Sequence, residues 1–228
     1  MAAYLADTYL AEVSTRILAV GQHHDALWAA VECNLFHPQG GGQPADRGWL
    51  DEYEIATDRH PETGLVVATA NRGSGLAALV EGQEVLARID LQERLTNAAL
   101  HTAGHLIEAA GRAQGWSLAG NNHFPGQARI EFSTPKPDPR LADAAGREEV
   151  VGTLRAAVAK AIQDDLPVSA ETEADGRRIV HLGELHAAPC GGTHVRSLND
   201  LADVTIPAIK VKKGRIRVSY GAAHGPRR

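Results

Sequence analysis

The sequence predicts an α+β fold: a small β-barrel-like portion over residues 1–90, then a portion over 91–228 in which helices pack on an antiparallel sheet. Three observations predict it. The first ninety residues hold several short runs of strand length separated by turn residues. Two later stretches carry apolar residues at helical spacing. Near the end, two alternating runs flank Lys212-Lys213-Gly214, the pattern of a hairpin.

The strand-like runs are 14–20, 25–33, 48–56, 64–70 and 84–90. Turn signals stand at 71–75 (NRGSG) and at Glu81-Gly82. Closing so many short strands on one another removes their exposed edges, so a barrel is the natural outcome. Residues 91–115 read as a helix, with Leu91, Leu95, Ala98, Thr102, Leu106 and Ala109 recurring every three or four positions. The segment Asn121–Gly126 reads as a polar loop, and 128–133 as a strand. A proline-rich linker, STPKPDP, precedes a second helix of about 25 residues that Asp138 caps and Pro139 opens. Its apolar face is Leu141, Ala144, Val151, Leu154, Val158 and Ile162. Two further strands, PVSAETE and RRIVHLG, lead into PCGGTH.

The chemistry lies in two short stretches, HTAGH at 101–105 and PCGGTH at 189–194. Four helical positions advance 400°, so His101 and His105 stand one turn apart on one face. Pro189, Gly191 and Gly192 keep the second stretch out of a helix and shape a tight loop that turns Cys190 and His194 toward one point. Three imidazoles and a thiolate form a set suited to Zn²⁺, with His101, His105, Cys190 and His194 as its ligands. Either stretch alone reads as ordinary buried or exposed histidine; each completes the other. Thr102, Ala103 and Gly104 lie between the histidines, so the glutamate of an HExxH peptidase is missing.

A loop with three consecutive glycines, GGGQPADRG at 40–48, is neither a Walker loop nor a dinucleotide fingerprint. Its spacing favours a long hairpin connection; the functional reading is a backbone able to approach a ligand closely. His123 is a further candidate. Thr102, on the helix flank, and Glu108, as a base or a partner of the ligands, are candidates near the metal histidines, though their residue types favour a packing threonine and an exposed glutamate.

No run of 18 apolar residues exists, and the acidic N-terminus lacks the features of a signal peptide. Two cysteines are too few for a disulfide framework, so a reducing cytoplasm is expected, with Cys33 a buried hydrophobe in a strand. Net charge is −5, yet from Lys210 to Arg228 there are seven basic residues (Lys210, Lys212, Lys213, Arg215, Arg217, Arg227, Arg228) and no acid. Such a strip binds phosphates or merely protects a hairpin edge.

HTAGH, CGGTHV and GGGQPADRG, in one chain, resemble the editing domain of alanyl-tRNA synthetase and, still more, the free-standing alanyl-tRNA editing proteins called AlaX, of the mid-sized type. The resemblance covers nearly the whole chain. It implies a β-rich domain with the glycine-rich loop over 1–90 and a zinc-binding editing (deacylase) domain over 91–228. It implies hydrolysis of Ser-tRNA(Ala), and in some members Gly-tRNA(Ala), with Zn²⁺ on His101, His105, Cys190 and His194 and catalysis acting through that metal. It draws Gly41, Gly42, Gln43, Thr102, Asn122, His123, Gly191 and Gly192 into the substrate-binding candidates, and makes Lys210, Lys212, Lys213, Arg215 and Arg217 candidate tRNA contacts. Gly104, inside the helix, costs about 1 kcal/mol against alanine and is read as a point where another backbone or the acceptor end comes close.

Selectivity has a physical requirement. Alanine is smaller than serine, so a pocket that admits serine cannot exclude alanine by size and must reward the hydroxyl. Gln43, Thr102 and the Asn121–His123 segment are the expected readers. Two rival classes stand beside the editing enzyme. One is a non-catalytic, zinc-stabilised module that binds tRNA or protein; the other is a zinc hydrolase of a small-molecule ester.

Overall fold

The computed structural model describes residues 1–226; Arg227 and Arg228 of the basic strip lie outside the described residues. The chain is a mixed α+β fold that divides into two compact units, Met1–Gly40 with Pro44–Leu95, and Gly41–Gln43 with the chain from Thr96 onward.

In the first unit a single helical turn, α1 (Ala3–Ala6), precedes β1 (Glu12–His23), β2 (Ala26–Val31), β3 (Gly48–Leu50), β4 (Tyr53–Arg59), β5 (Val66–Asn71) and β6 (Glu84–Ile89). These six close into a barrel in the order β1-β2-β5-β4-β3-β6, and every neighbouring pair is antiparallel. The run 48–56, expected as one strand, is two. Asp51 adopts φ +51° and turns the chain, and its carboxylate accepts from the Leu86 N–H at 2.8 Å. Cys33 lies after β2 rather than in it and is half-buried; its N–H bonds to the Thr15 hydroxyl at 2.8 Å. Ile17, Leu35, Phe36, Leu50, Ile55, Val85 and Ala87 fill the barrel core.

The helix α2 (Leu91–Arg112) begins where the Asp90 carboxylate accepts from the Glu93 N–H at 3.0 Å, an N-cap. It ends three residues earlier than its periodicity suggests, because Gly115, at φ +83°, reverses the chain and its N–H bonds to the Arg112 carbonyl. From Asn97 to Gly111 every residue is buried, so this helix is enclosed on nearly all sides rather than along one apolar stripe.

The rest of the second unit holds β7 (Ser117–Asn122), β8 (Arg129–Ser133), α3 (Ala144–Gln163), β9 (Val168–Thr172), β10 (Arg178–Leu182), β11 (His186–Pro189), β12 (Leu201–Thr205), β13 (Ile209–Lys212), β14 (Arg215–Ser219) and β15 (Gly221–His224). They form a four-stranded antiparallel sheet β13-β14-β8-β7, a three-stranded sheet β11-β10-β9 and a pair β12-β15. Asn121 and Asn122, expected in a loop, are the last residues of β7, paired with Ile130 and Arg129 of β8. Asp138 does cap, but only the short 3₁₀ turn Pro139–Leu141; the long helix starts at Ala144 on a second cap, the Asp143 carboxylate accepting from the Gly146 N–H. Ala144 is consequently exposed, while Leu141 still packs in the core. That core joins Leu106, Ile107 and Ala110 of α2 with Val151, Leu154 and Val158 of α3 and with Ile130, Phe132, Ile216 and Val218 of the sheet.

Candidate metal centre

His101 and His105 project from the middle of α2, one turn apart, with rings stacked at 5.2 Å. Cys190 follows β11 directly, and His194 closes the same loop. Arg178 of β10 fixes that loop: its guanidinium donates to the carbonyls of Cys190 (2.9 Å) and Gly192 (3.1 Å), and its carbonyl accepts from the Cys190 N–H. One donor atom from each of His101, His105, Cys190 and His194 lies within 4.8 Å of all the others.

Hydrogen bonds set the tautomers. Thr102 Oγ1 donates to the Ala98 carbonyl at 2.8 Å, which uses its only proton. At 3.1 Å from His194 Nδ1 it therefore accepts, as it does from the Val195 N–H at 3.2 Å. His194 is thereby protonated on Nδ1 and offers Nε2, which lies 3.2 Å from Cys190 Sγ. Gln43 does the same for His101. Its Oε1 accepts from the Thr193 N–H (3.0 Å) and from His101 Nδ1 (2.8 Å), and its Nε2 donates to Thr193 Oγ1 (2.9 Å). His101 Nε2 then faces Cys190 Sγ at 3.4 Å.

These residues fit a tetrahedral ion. Bonds of 2.0–2.3 Å give ligand–ligand edges of about 3.5 Å, and both sulfur–nitrogen separations are close to that. His105 Nε2 is buried without a hydrogen-bond partner, the kind of atom an ion satisfies. Burial holds His105 down to about 3, with His186 and His123 adding to the effect, so the ring is the neutral form a metal needs. Burial pushes the Cys190 thiol up, opposed by the Gly192 N–H and by Arg178.

Close packing explains the glycines. A Cβ on Gly192 would stand 2.2 Å from the His101 ring, and one on Gly42 2.5 Å from Asn121 Oδ1. A Cβ on Gly104 would stand 2.5 Å from His123 and 2.7 Å from the Tyr220 hydroxyl. Of the protein's own groups, what approaches the helix at Gly104 is thus a pair of side chains rather than another backbone. The Tyr220 hydroxyl donates to the Leu100 carbonyl (3.0 Å) and accepts from His123 Nδ1 (2.6 Å). That leaves a lone pair on His123 Nε2, buried and without a partner, on a ring stacked 4.2 Å from His101. Burial holds His123 down to about 4.

Among the expected substrate readers, the Thr102 hydroxyl and the Gln43 oxygen already have their bonds within the protein. A Cβ on Gly41 would stand 4.0 Å from the His101 ring, an ordinary contact, and the His123 N–H bonds to the Gly42 carbonyl at 2.8 Å. The Asn122 carboxamide turns back to the Phe124 N–H. Gly191 has open space around it. Glu108 is buried rather than exposed, held by Arg112 at 2.7 Å.

Several participants, Arg178 among them, escape sequence reasoning. Thr193 and Tyr220 carry no signal, but His186, four residues before Cys190, extends the same spacing that links Cys190 to His194. His186 Nε2 lies 3.2 Å from His105 Nδ1. Asn97, one turn before His101 on α2, is buried with neither end of its amide bonded.

The basic residues fall on the β13–β14 hairpin. Lys213 (φ +49°) and Gly214 (φ +74°) make its turn. Lys210 pairs with Arg217 and Lys212 with Arg215, so four cations share one exposed face while Ile209 and Val218 face the core.

No protein-family model matches the chain. It is 26% identical over 224 residues to the alanyl-tRNA editing protein AlaX-L of Pyrococcus horikoshii, covering 89% of this chain and 53% of that protein. It is 26% identical over 206 residues to AlaX-M of the same organism, covering 88% of this chain and 87% of that protein. It is 28% identical over 235 residues to an alanine–tRNA ligase of Halorubrum lacusprofundi, covering 92% of this chain and 24% of the ligase. The chain thus spans about half the length of AlaX-L, about a quarter of the ligase and most of AlaX-M. It resembles alanyl-tRNA editing proteins along nearly its whole length.

Proposed function

We propose that this chain is an aminoacyl-tRNA deacylase acting in trans on tRNA(Ala) that carries the wrong amino acid, serine foremost and glycine as a second substrate. The observation that carries this reading is the buried imidazole–thiolate cluster, its ring orientations set by Gln43 and Thr102, in a chain similar to alanyl-tRNA editing proteins. The reaction adds water across the ester: a new oxygen bonds to the carbonyl carbon, the bond to the ribose oxygen breaks, and the ribose oxygen takes the proton.

His101, His105, Cys190 and His194 would hold Zn²⁺. Bound there, the ion would supply Lewis acidity at the ester carbonyl or a grip on the substrate's amine. The residues around it have separable tasks. Gln43 and Thr102 hold His101 and His194 in the tautomers that present Nε2. His123 is the best-placed reader of serine. Its Nε2 keeps a lone pair, beside His101, that accepts from the seryl hydroxyl and finds no donor on the methyl side chain of alanine. The hairpin face of Lys210, Lys212, Arg215 and Arg217 suits backbone phosphates of the acceptor stem.

The test is deacylation of Ser-tRNA(Ala), Gly-tRNA(Ala) and Ala-tRNA(Ala) by the purified chain, with Cys190→Ala alongside. Loss of serine or glycine that spares alanine, and that disappears in a folded Cys190→Ala protein, is the expected result. No turnover of any of the three by zinc-loaded protein would overturn it in favour of a binding module. Turnover of free aminoacyl esters with no preference for tRNA would favour a small-molecule hydrolase.

A further inference from the structure

Beside the cluster lies a second group of donors. His105 Nδ1, on the far side of the ring from its unpartnered Nε2, stands 3.2 Å from His186 Nε2. Glu108 Oε2 is 3.9 Å from the first of these atoms and 3.8 Å from the second. All three residues are buried. The carboxylate is too far from either nitrogen for a hydrogen bond, yet it remains turned toward both. Arg112 explains how: it holds the other carboxylate oxygen, Oε1, at 2.7–2.9 Å and leaves Oε2 directed at the imidazoles.

The triangle has a particular size. The point equidistant from its three corners is about 2.1 Å from each, by the three separations just given. Zinc bonds to imidazole nitrogen are about 2.0–2.1 Å and to carboxylate oxygen about 2.0–2.2 Å. A purely hydrogen-bonded triad would draw the carboxylate in to under 3.2 Å or so; this one keeps the spacing of a coordination sphere.

We propose that His105, Glu108 and His186 form a second divalent-metal site, taking Zn²⁺ or a similar transition ion, that shares His105 with the first. A neutral imidazole nitrogen from His186, a bridging imidazolate nitrogen from His105 and one carboxylate suit zinc, cobalt(II) or nickel(II) and not magnesium, which demands oxygen ligands. When both sites are filled, the second ion replaces the proton on His105 Nδ1, and that proton passes to solvent. The Glu108 carboxylate and the Cys190 thiolate offset part of the added charge. Because one ring serves both ions, they compete electrostatically, and the second binds at least about tenfold more weakly than the first.

The experiment counts metal. Full-length protein is stripped, titrated with cobalt(II) or zinc, and its bound ions are counted by native mass spectrometry. In the cobalt titration the thiolate-to-metal charge-transfer band reports the Cys190 cluster separately. Wild-type protein binds two ions, the second more weakly; His186→Ala and Glu108→Gln each bind one, with the thiolate band intact. Saturation of the wild type at one ion overturns the proposal, as does a count of two in both variants. His186→Gln, which keeps a polar side chain, serves if His186→Ala does not fold. Absence of the thiolate band alone would count against the cluster read as an editing centre and leave the count at the triad to be judged by the same variants.

Discussion

Replacing Thr102 by valine keeps the side chain's shape and removes one atom, the oxygen on which two buried donors converge. His194 Nδ1–H and the Val195 N–H would both lose their acceptor, at 3.1 and 3.2 Å respectively. Leaving a buried donor unsatisfied costs about 1–3 kcal/mol, so the variant should lose about 2–6 kcal/mol. The Ala98 carbonyl, by contrast, keeps its helical environment and loses only a second donor. Without the Thr102 oxygen to accept from Nδ1–H, the His194 tautomer that presents Nε2 to a metal loses its support. Loss of such a supporting bond weakens metal affinity about 10–100-fold. Urea unfolding of metal-free protein reads the first effect, and competition for zinc against a chromophoric chelator reads the second. Thr102→Ser, which restores the oxygen, should recover most of both. Wild-type stability and wild-type zinc affinity in Thr102→Val would refute the assignment of tautomers on which the site rests.

Asp46→Ala should cost about 3–5 kcal/mol in chemical unfolding, because Arg94, fully buried, donates to both carboxylate oxygens of Asp46 and would be left an unpaired charge. Gly104→Ala, which in an open helix would gain about 1 kcal/mol, should instead lower the urea midpoint, since overpacking costs about 1–3 kcal/mol and the new Cβ meets the hydrogen-bonded His123–Tyr220 pair. His37 is held down to about 4, mainly by burial, with Arg94 acting in the same direction and Asp46 against it. The unfolded ring binds its proton near 6.5, so this contribution is whole above that pH and is lost as pH falls from about 6.5 to 4, a change of about 3 kcal/mol; His37→Gln should flatten the stability–pH curve in that window. Lys212→Ala with Arg215→Ala should reduce the slope of log affinity for tRNA against log salt by about two, and an unchanged slope would remove the hairpin from the interface.

The gathering of His101, His105, Cys190 and His194 is legible in the sequence because its constraint is local. Two histidines four apart on a helix, and a cysteine and histidine bracketing two glycines, each fix their geometry within a single turn or loop. The cationic face of the terminal hairpin was legible for the same reason, since alternation and a Lys-Gly turn decide which side chains share a face. Six strands where five were expected is a smaller failure: one residue in the left-handed region, Asp51, splits a run whose composition is continuous.

Other groups take their meaning from a neighbour distant in sequence, which folding alone brings near. Glu108 reads as a surface residue until Arg112 and the enclosure of α2 bury it. His186 acquires a role only when β11 brings it to His105, 81 positions away. Gln43 and Asp46 stand three residues apart in one loop, yet Gln43 bonds His101 and Thr193 while Asp46 neutralises Arg94. A sequence states which atoms can ligate, donate or accept. Which of those capacities the fold itself consumes, and which it leaves for a metal or a substrate, is a property of contacts made across the chain.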